Sequence, residues 1–209
     1  MIDTQVSQDW TTLVDDATLD KTVAALESRG FAVFVAENGA EAKAKVIELV
    51  PEGSEVFTAA SATLASIGVA DEINESGRYD SLRKKMAALN RVTQSLEMRQ
   101  LGATPALSLG SAQAITEDGQ LLFASFGGSQ LTGYVAGATR VIWVVSTQKI
   151  VKDLDAGLRR IEEYALPLES ERMQKLLGRP SQANKILILR GEVMPGRSTV
   201  ILVKEQLGF

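Results

Sequence analysis

Four short segments concentrate the residues able to do chemistry. Ser61-Ala62-Thr63, Gly110-Ser111, Gly127-Gly128-Ser129-Gln130 and Ser146-Thr147-Gln148-Lys149 combine small, hydroxyl and amide residues, the last adding a cation. Such residues offer hydroxyls, amides and open backbone N–H groups to a phosphate or carboxylate. Where the segment opens a helix, the positive end of the helix dipole strengthens that attraction. Ser61, Thr63, Gly110, Ser111, Gly127, Gly128, Ser129, Gln130 and Lys149 are therefore the candidate substrate-binding residues. Glu117, beside Asp118, is the candidate catalytic group, since a partly buried carboxyl can carry a proton or act as a nucleophile. Plainer accounts exist for each. Ser61 and Ser129 serve as N-caps, Asp118-Gly119 as a turn, and Lys149 as an exposed lysine at a helix start.

Composition narrows the chemistry further. The 209 residues contain no histidine and no cysteine. An imidazole base, a thiolate nucleophile, Cys/His zinc sites, iron–sulfur clusters and disulfides are thereby excluded from this chain. The carboxylates are dispersed without metal-ligand spacing, so neither a metal nor another cofactor is expected. Net charge is −4, and the cations Arg83, Lys84, Lys85, Arg91 and Arg99 lack interleaved aromatics. They read as a solvated helix face, and no nucleic-acid partner is expected.

The elements that must position these residues follow from periodicity. Leu19, Val23 and Leu26 ahead of Gly30 mark an amphipathic helix, and Phe31 to Val35 a strand. Asn38 with Glu41 forms a capping box opening a helix to about Val50, and Glu55 to Thr58 is a strand leading to a helix at Ser61. Leu82, Met86, Leu89, Val92 and Leu96 predict one long helix ending near Gly102. Ala106 to Leu109 is a strand, and residues 113–125 form a hairpin about Glu117-Asp118-Gly119. Gly127 to Gln130 introduces a helix to about Gly137. Val141 to Val145 is a strand covered on both faces. Ile150, Leu154, Leu158 and Ile161 predict a helix, with a shorter one after Pro167 and strands at Ile186 to Leu189 and Val200 to Val203. The reading is one α/β domain over 1–209, with a polar N-terminal segment over 1–15 and a largely parallel central sheet flanked by helices. Ligands in such sheets bind beyond the carboxyl ends of the strands, where the four segments fall.

The start lacks a basic and apolar leader, and the longest wholly apolar run, Phe31 to Ala36, is far shorter than a membrane span. No membrane insertion and a cytoplasmic location are expected.

The stretch Gly110-Ser111-Ala112-Gln113-Ala114-Ile115-Thr116-Glu117-Asp118-Gly119-Gln120, continuing through Gly127 to Gln130, Val141 to Val145 and Thr147 to Val151, resembles the LUD (lactate utilisation) domain family. Thr58 to Gly68 looks like that family's first strand-to-helix turn. The likeness runs over residues 15–170 and rests on the constellation of these pieces. It implies a fold similar to glucosamine-6-phosphate deaminases, ribose-5-phosphate isomerases and CoA transferases. Many members have Glu-Thr-Gly-Thr where this chain has Glu117-Asp118-Gly119-Gln120, which keeps the acid and removes two hydroxyls. The resemblance implies a part in bacterial oxidation of lactate to pyruvate, beside iron–sulfur protein partners. The expected function is a non-redox accessory component binding a small anionic metabolite or a partner subunit. The alternatives are an isomerase- or transferase-type enzyme for a phosphorylated or CoA-linked substrate, and a structural or regulatory module. A homo-oligomer is compatible with each.

Overall fold

A computed structural model describes residues 9–209; the first eight residues of the expected N-terminal segment lie outside the described residues. The chain begins with helix α1 (Asp16–Ser28), strand β1 (Ala32–Ala36), helix α2 (Gly39–Leu49) and strand β2 (Glu55–Thr58). Asp15 caps α1 by accepting from the Thr18 N–H, and Asn38 caps α2 by accepting from the Glu41 N–H. Each cap satisfies a donor that the first helical turn leaves without a partner. Short helices α3 (Ala62–Ser66) and α4 (Val69–Glu75), strand β3 (Asp80–Ser81) and helices α5 (Leu82–Ala88) and α6 (Ser95–Ala103) follow.

The single long helix expected from Leu82 to Gly102 is thus two helices. Asn90 breaks it, because its side chain accepts from the Val92 and Thr93 N–H groups and offers the backbone an alternative to the helical ladder. The apolar periodicity also finds no core there: Val92 and Leu96 are exposed.

Strands β4 (Leu107–Gly110), β5 (Ala114–Thr116), β6 (Leu121–Ser125) and β7 (Arg140–Ser146) come next. Gly127 to Gln130 leads into a wide π turn over Gly133–Gly137. Beyond β7, a 3-10 turn (Thr147–Lys149) and strand β8 (Ile150–Val151) stand where the sequence pattern put the start of a helix. Helix α7 (Leu154–Arg160) begins only at Asp153, whose carboxylate caps it. It continues through a π turn (Ile161–Ala165) into α8 (Leu166–Leu177), and this widened turn directly precedes Pro167, which would break a regular α-helical ladder. Strands β9 (Lys185–Leu189) and β10 (Ser198–Val203) close the chain.

Six strands form an all-parallel sheet in the order β1-β10-β7-β4-β2-β3, and four form a second, mixed sheet in the order β8-β5-β6-β9. The hairpin β5–β6 pairs Ala114 with Leu122 and Ile115 with Leu121. Its turn at Gly119, with φ +86°, packs against the Ala25 and Leu26 backbone of α1, where a Cβ would collide.

The parallel sheet is buried on both faces, which explains why β7 and β10 read as unbroken apolar runs. Val141, Trp143, Val145, Val200 and Leu202 point to one side, into a core shared with α1 and the second sheet. Ile142, Val144, Ile201 and Val203 point to the other, against residues of α2, α3 and α4. The outer face of the second sheet is covered by a smaller cluster of Trp10, Ala114, Leu122, Val151 and Ile161.

One buried ion pair ties these layers together. Arg197 Nη1 lies 2.8 Å from Glu192 Oε2, and the same guanidinium donates to the carbonyls of Ala138, Gly133 and Tyr134. Burial pushes the Glu192 carboxyl up, but hydrogen bonds from the Met194 N–H, Arg197 and Ser198 outweigh it and hold it below its ordinary value. A depressed carboxylate stabilises the fold fully above its unfolded pKa, about 4.3, and loses that contribution as pH falls through the folded value. Glu192→Gln is therefore expected to cost about 3 kcal/mol at neutral pH by leaving Arg197 uncompensated. Denaturant titrations should show the gap to the parent chain closing on acidification.

Candidate functional site

The carboxyl ends of β2, β4, β6 and β7 converge on one cavity of about 320 Å³. Lys149, at the end of the 3-10 turn that follows β7, lies in its wall and is only 1% exposed. Its Nζ is 2.9 Å from Thr63 Oγ1 and 3.3 Å from Ser111 Oγ. Thr63 Oγ1 in turn donates to the Leu207 carbonyl at 3.2 Å, and Ser111 Oγ to the Ala112 carbonyl at 3.3 Å. Thr63 is placed by α3, whose N-cap Ser61 accepts from the Leu64 N–H. Gln148 donates to the Gly208 carbonyl and so anchors the segment beside Thr63.

Lys149 has no acidic partner within ion-pair distance among the described residues. Burial, with the nearby Arg160 cation adding a smaller push, drives its pKa well below the ordinary lysine range. Arg160 is itself fully buried, donating to the carbonyls of Gln113 and Trp10, and burial lowers its pKa to about 10. Its Nε has no partner.

Three further cations line the cavity. Arg83 on α5 is exposed and makes no ion pair among the described residues; partial desolvation, together with Arg172 and Arg91, lowers its pKa. Arg172 on α8 is held in a two-pronged contact by Glu169, both arms 2.7 Å. Arg179 lies over the Phe126 ring, 5.2 Å from its centroid. Glu169 is the sole side-chain carboxylate in the lining, where three guanidinium groups and the Lys149 amine stand.

Of the residues singled out by sequence, Ser61, Thr63, Ser111, Gly127, Ser129, Gln130 and Lys149 line this cavity. Gly110 stands behind it. Any Cβ there would collide with the Tyr134 hydroxyl, so the missing side chain lets Tyr134 lie against β4 and line the cavity. Gly128 has φ +87° and belongs to a shallow apolar depression with Leu131 and Val135. Ser129 makes no side-chain cap; Ser125 Oγ instead accepts from the Gly128 N–H and bonds Gln130 Oε1.

Glu117 is not in the lining. It follows the outer end of β5, whereas Ser111 to Gln113 precede that strand on the cavity side. Its carboxylate lies 2.7 Å from Lys21 Nζ on α1, beside the Arg29–Asp118 pair at 2.8 Å. Both acids thus dock the hairpin turn on α1. The plain reading of Lys149 as a surface lysine is likewise corrected, because the turn after β7 directs it inward. Arg83, Arg172 and Arg179 were missed: on the linear chain they are indistinguishable from solvated helix and loop cations, and only the tertiary fold gathers them at one cavity.

Residues 19–203 match the LUD domain. The chain belongs to the LUD domain family. Among solved structures, the crystal structure of a DUF162 family protein from Deinococcus radiodurans superposes with a TM-score of 0.57 at 14% identity, covering 92% of this chain and 99% of that one. At that identity the likeness concerns the fold. No curated protein matches. Among the described residues no helix is long and apolar enough to cross a membrane.

A buried lysine without a carboxylate costs stability, because folding must either desolvate its charge or remove its proton. Lys149→Met is expected to raise the stability of the ligand-free chain by roughly 0.5–2 kcal/mol. A lysine pKa lowered by folding means the unfolded chain binds more protons, so the parent gains stability as pH rises toward about 10.4. The advantage of the variant, measured by denaturant titration, should shrink over that alkaline range.

Proposed function

We propose that this LUD-domain protein is a non-redox component of bacterial lactate utilisation that binds a small anionic metabolite in the cavity at the strand ends. The observation that carries the reading is the imbalance of charge: the guanidinium groups of Arg83, Arg172 and Arg179 line the cavity with the Lys149 amine in its wall, and Glu169 is the one side-chain carboxylate in the lining. Arg83 and Arg179 are exposed at the cavity and make no ion pair among the described residues, and an anionic ligand supplies that partner. The volume of about 320 Å³ suits a compact metabolite. Thr63, Ser111, Ser129 and Gln130 add hydroxyl and amide contacts that orient a carboxylate or phosphate.

Iron–sulfur electron transfer in that role falls to partner chains, since this one has no cysteine to hold a cluster. Association with iron–sulfur proteins belongs to the same reading. It is testable by co-purification from cells grown on lactate. A catalytic role for Glu117 has no part in it.

Thermal unfolding in the presence of lactate, pyruvate, a sugar phosphate and CoA tests the cavity. A true ligand at one hundred times its Kd should add about 2.7 kcal/mol. Arg83→Gln and Arg172→Gln should each weaken that response. Glu117→Gln should leave it intact and change stability by no more than about 1 kcal/mol, as for other partly exposed pairs. A flat response to all four ligands would sink the anion site; a response abolished by Glu117→Gln alone would move the site to the hairpin.

A further inference from the structure

We propose that Lys149 is a nucleophile that forms a reversible imine with a small anion carrying a ketone or aldehyde. This rests on the anion-binding reading and deepens it by naming the substrate class.

The hydrogen-bond directions around Nζ carry the argument. The hydroxyl proton of Thr63 goes to the Leu207 carbonyl, and that of Ser111 has the Ala112 carbonyl at 3.3 Å and Thr63 Oγ1 at 3.4 Å as acceptors, so in either arrangement both oxygens face Lys149 as acceptors. A neutral amine has two N–H donors, and these two hydroxyls accept both. Its lone pair is then left without a donor, on a lysine that lines the cavity. An ammonium would carry a third N–H with no acceptor assigned to it. Burial beside Arg160 favours the neutral amine in addition, which is the reactive form of a lysine toward carbonyl carbon.

The division of labour follows from position. Arg83, Arg172 and Arg179 stay charged and hold the carboxylate or phosphate, leaving Lys149 to meet the carbonyl. A lysine whose purpose was only to bind the anion would keep its charge better beside water or a carboxylate. One kept only for the fold would be paired.

The step balances without a further reagent. The Nζ lone pair attacks the carbonyl carbon, a C–N bond forms, and the C=O π pair moves to oxygen. One N–H proton passes to that oxygen, with Ser111 and Thr63 within reach to relay it, giving a carbinolamine. Its hydroxyl takes a proton from solvent and leaves as water, and the protonated imine remains. Nothing is oxidised or reduced.

Borohydride reduction of the purified full chain with a bound carbonyl anion tests this, because it converts the imine to a stable secondary amine. Pyruvate and glyceraldehyde 3-phosphate serve as carboxylate and phosphate probes, with lactate and glycerol 3-phosphate as matched anions lacking the carbonyl. Intact mass and peptide mapping should show one reduced adduct, on Lys149, with at least one carbonyl probe, suppressed by the matched non-carbonyl anion. Lys149→Met should lose the adduct; because the mapping is done on the parent chain, the result stands even where that variant folds poorly. A thermal shift from the carbonyl probes with no adduct at Lys149, or adducts spread over exposed lysines such as Lys21, overturns the nucleophile while leaving the anion site standing. No shift and no adduct with any of the four overturns both.

Discussion

Trp143 is the contact on which the two-sheet architecture depends. It projects from the centre of the parallel sheet and meets Phe123 of the second sheet at 5.3 Å, Tyr134 at 5.5 Å and Phe31 at 6.2 Å between ring centroids. Aromatic groups in such tilted and edge-on arrangements bury large areas and fix relative orientation more tightly than aliphatic contacts do. The second sheet is thereby held over one face of the first, and the strand ends of both open into the same space. Tyr134 belongs to the cluster and to the cavity wall alike, and the Arg197–Glu192 pair pins the π turn that carries it. Core packing and site geometry are therefore one problem in this protein.

The cavity sits under electrostatic tension that the rest of the fold does not share. Elsewhere, cations are exposed or meet carboxylates, as Arg197 meets Glu192, Arg78 meets Glu72 and Lys204 meets Asp16. Around Lys149 and Arg160 the partners are hydroxyls and backbone carbonyls. Such an arrangement lowers stability relative to an apolar filling of the same volume, and it persists in sites where function needs the charge or the amine. Arg160 reinforces the effect without entering the lining, by disfavouring a second positive charge on its neighbour.

Local signals in the chain carried the elements well where burial and propensity agree. The apolar runs of β7 and β10, the capping by Asn38, the Gly119 turn of the hairpin and the stripe of α1 all belong to segments whose neighbours demand the same conformation. They misled where an apolar period lacked a core to face. Leu89, Val92 and Leu96 promise a continuous helix, yet Asn90 captures the backbone and the apolar side chains stay largely in solvent. Ile150 fits a helical stripe by spacing alone, but pairing with Ile115 makes it a strand.

By itself, the sequence determined the α/β class, the parallel sheet, the chemistry excluded by the lack of histidine and cysteine, and the strand-end segments with small and hydroxyl residues. These depend on residue type and short-range spacing, which the chain states directly. Only the tertiary structure decided that Lys149 turns inward to Thr63 and Ser111, that Arg83 and Arg172 share its cavity, and that Glu117 is bound to Lys21 on another face. The physical reason is that charge acquires its meaning from burial and from partners distant in sequence: Lys149 and Thr63 are separated by 86 positions, Glu117 and Lys21 by 96. Until the sheets close around Trp143, nothing on the chain distinguishes a solvated cation from one placed to meet a ligand.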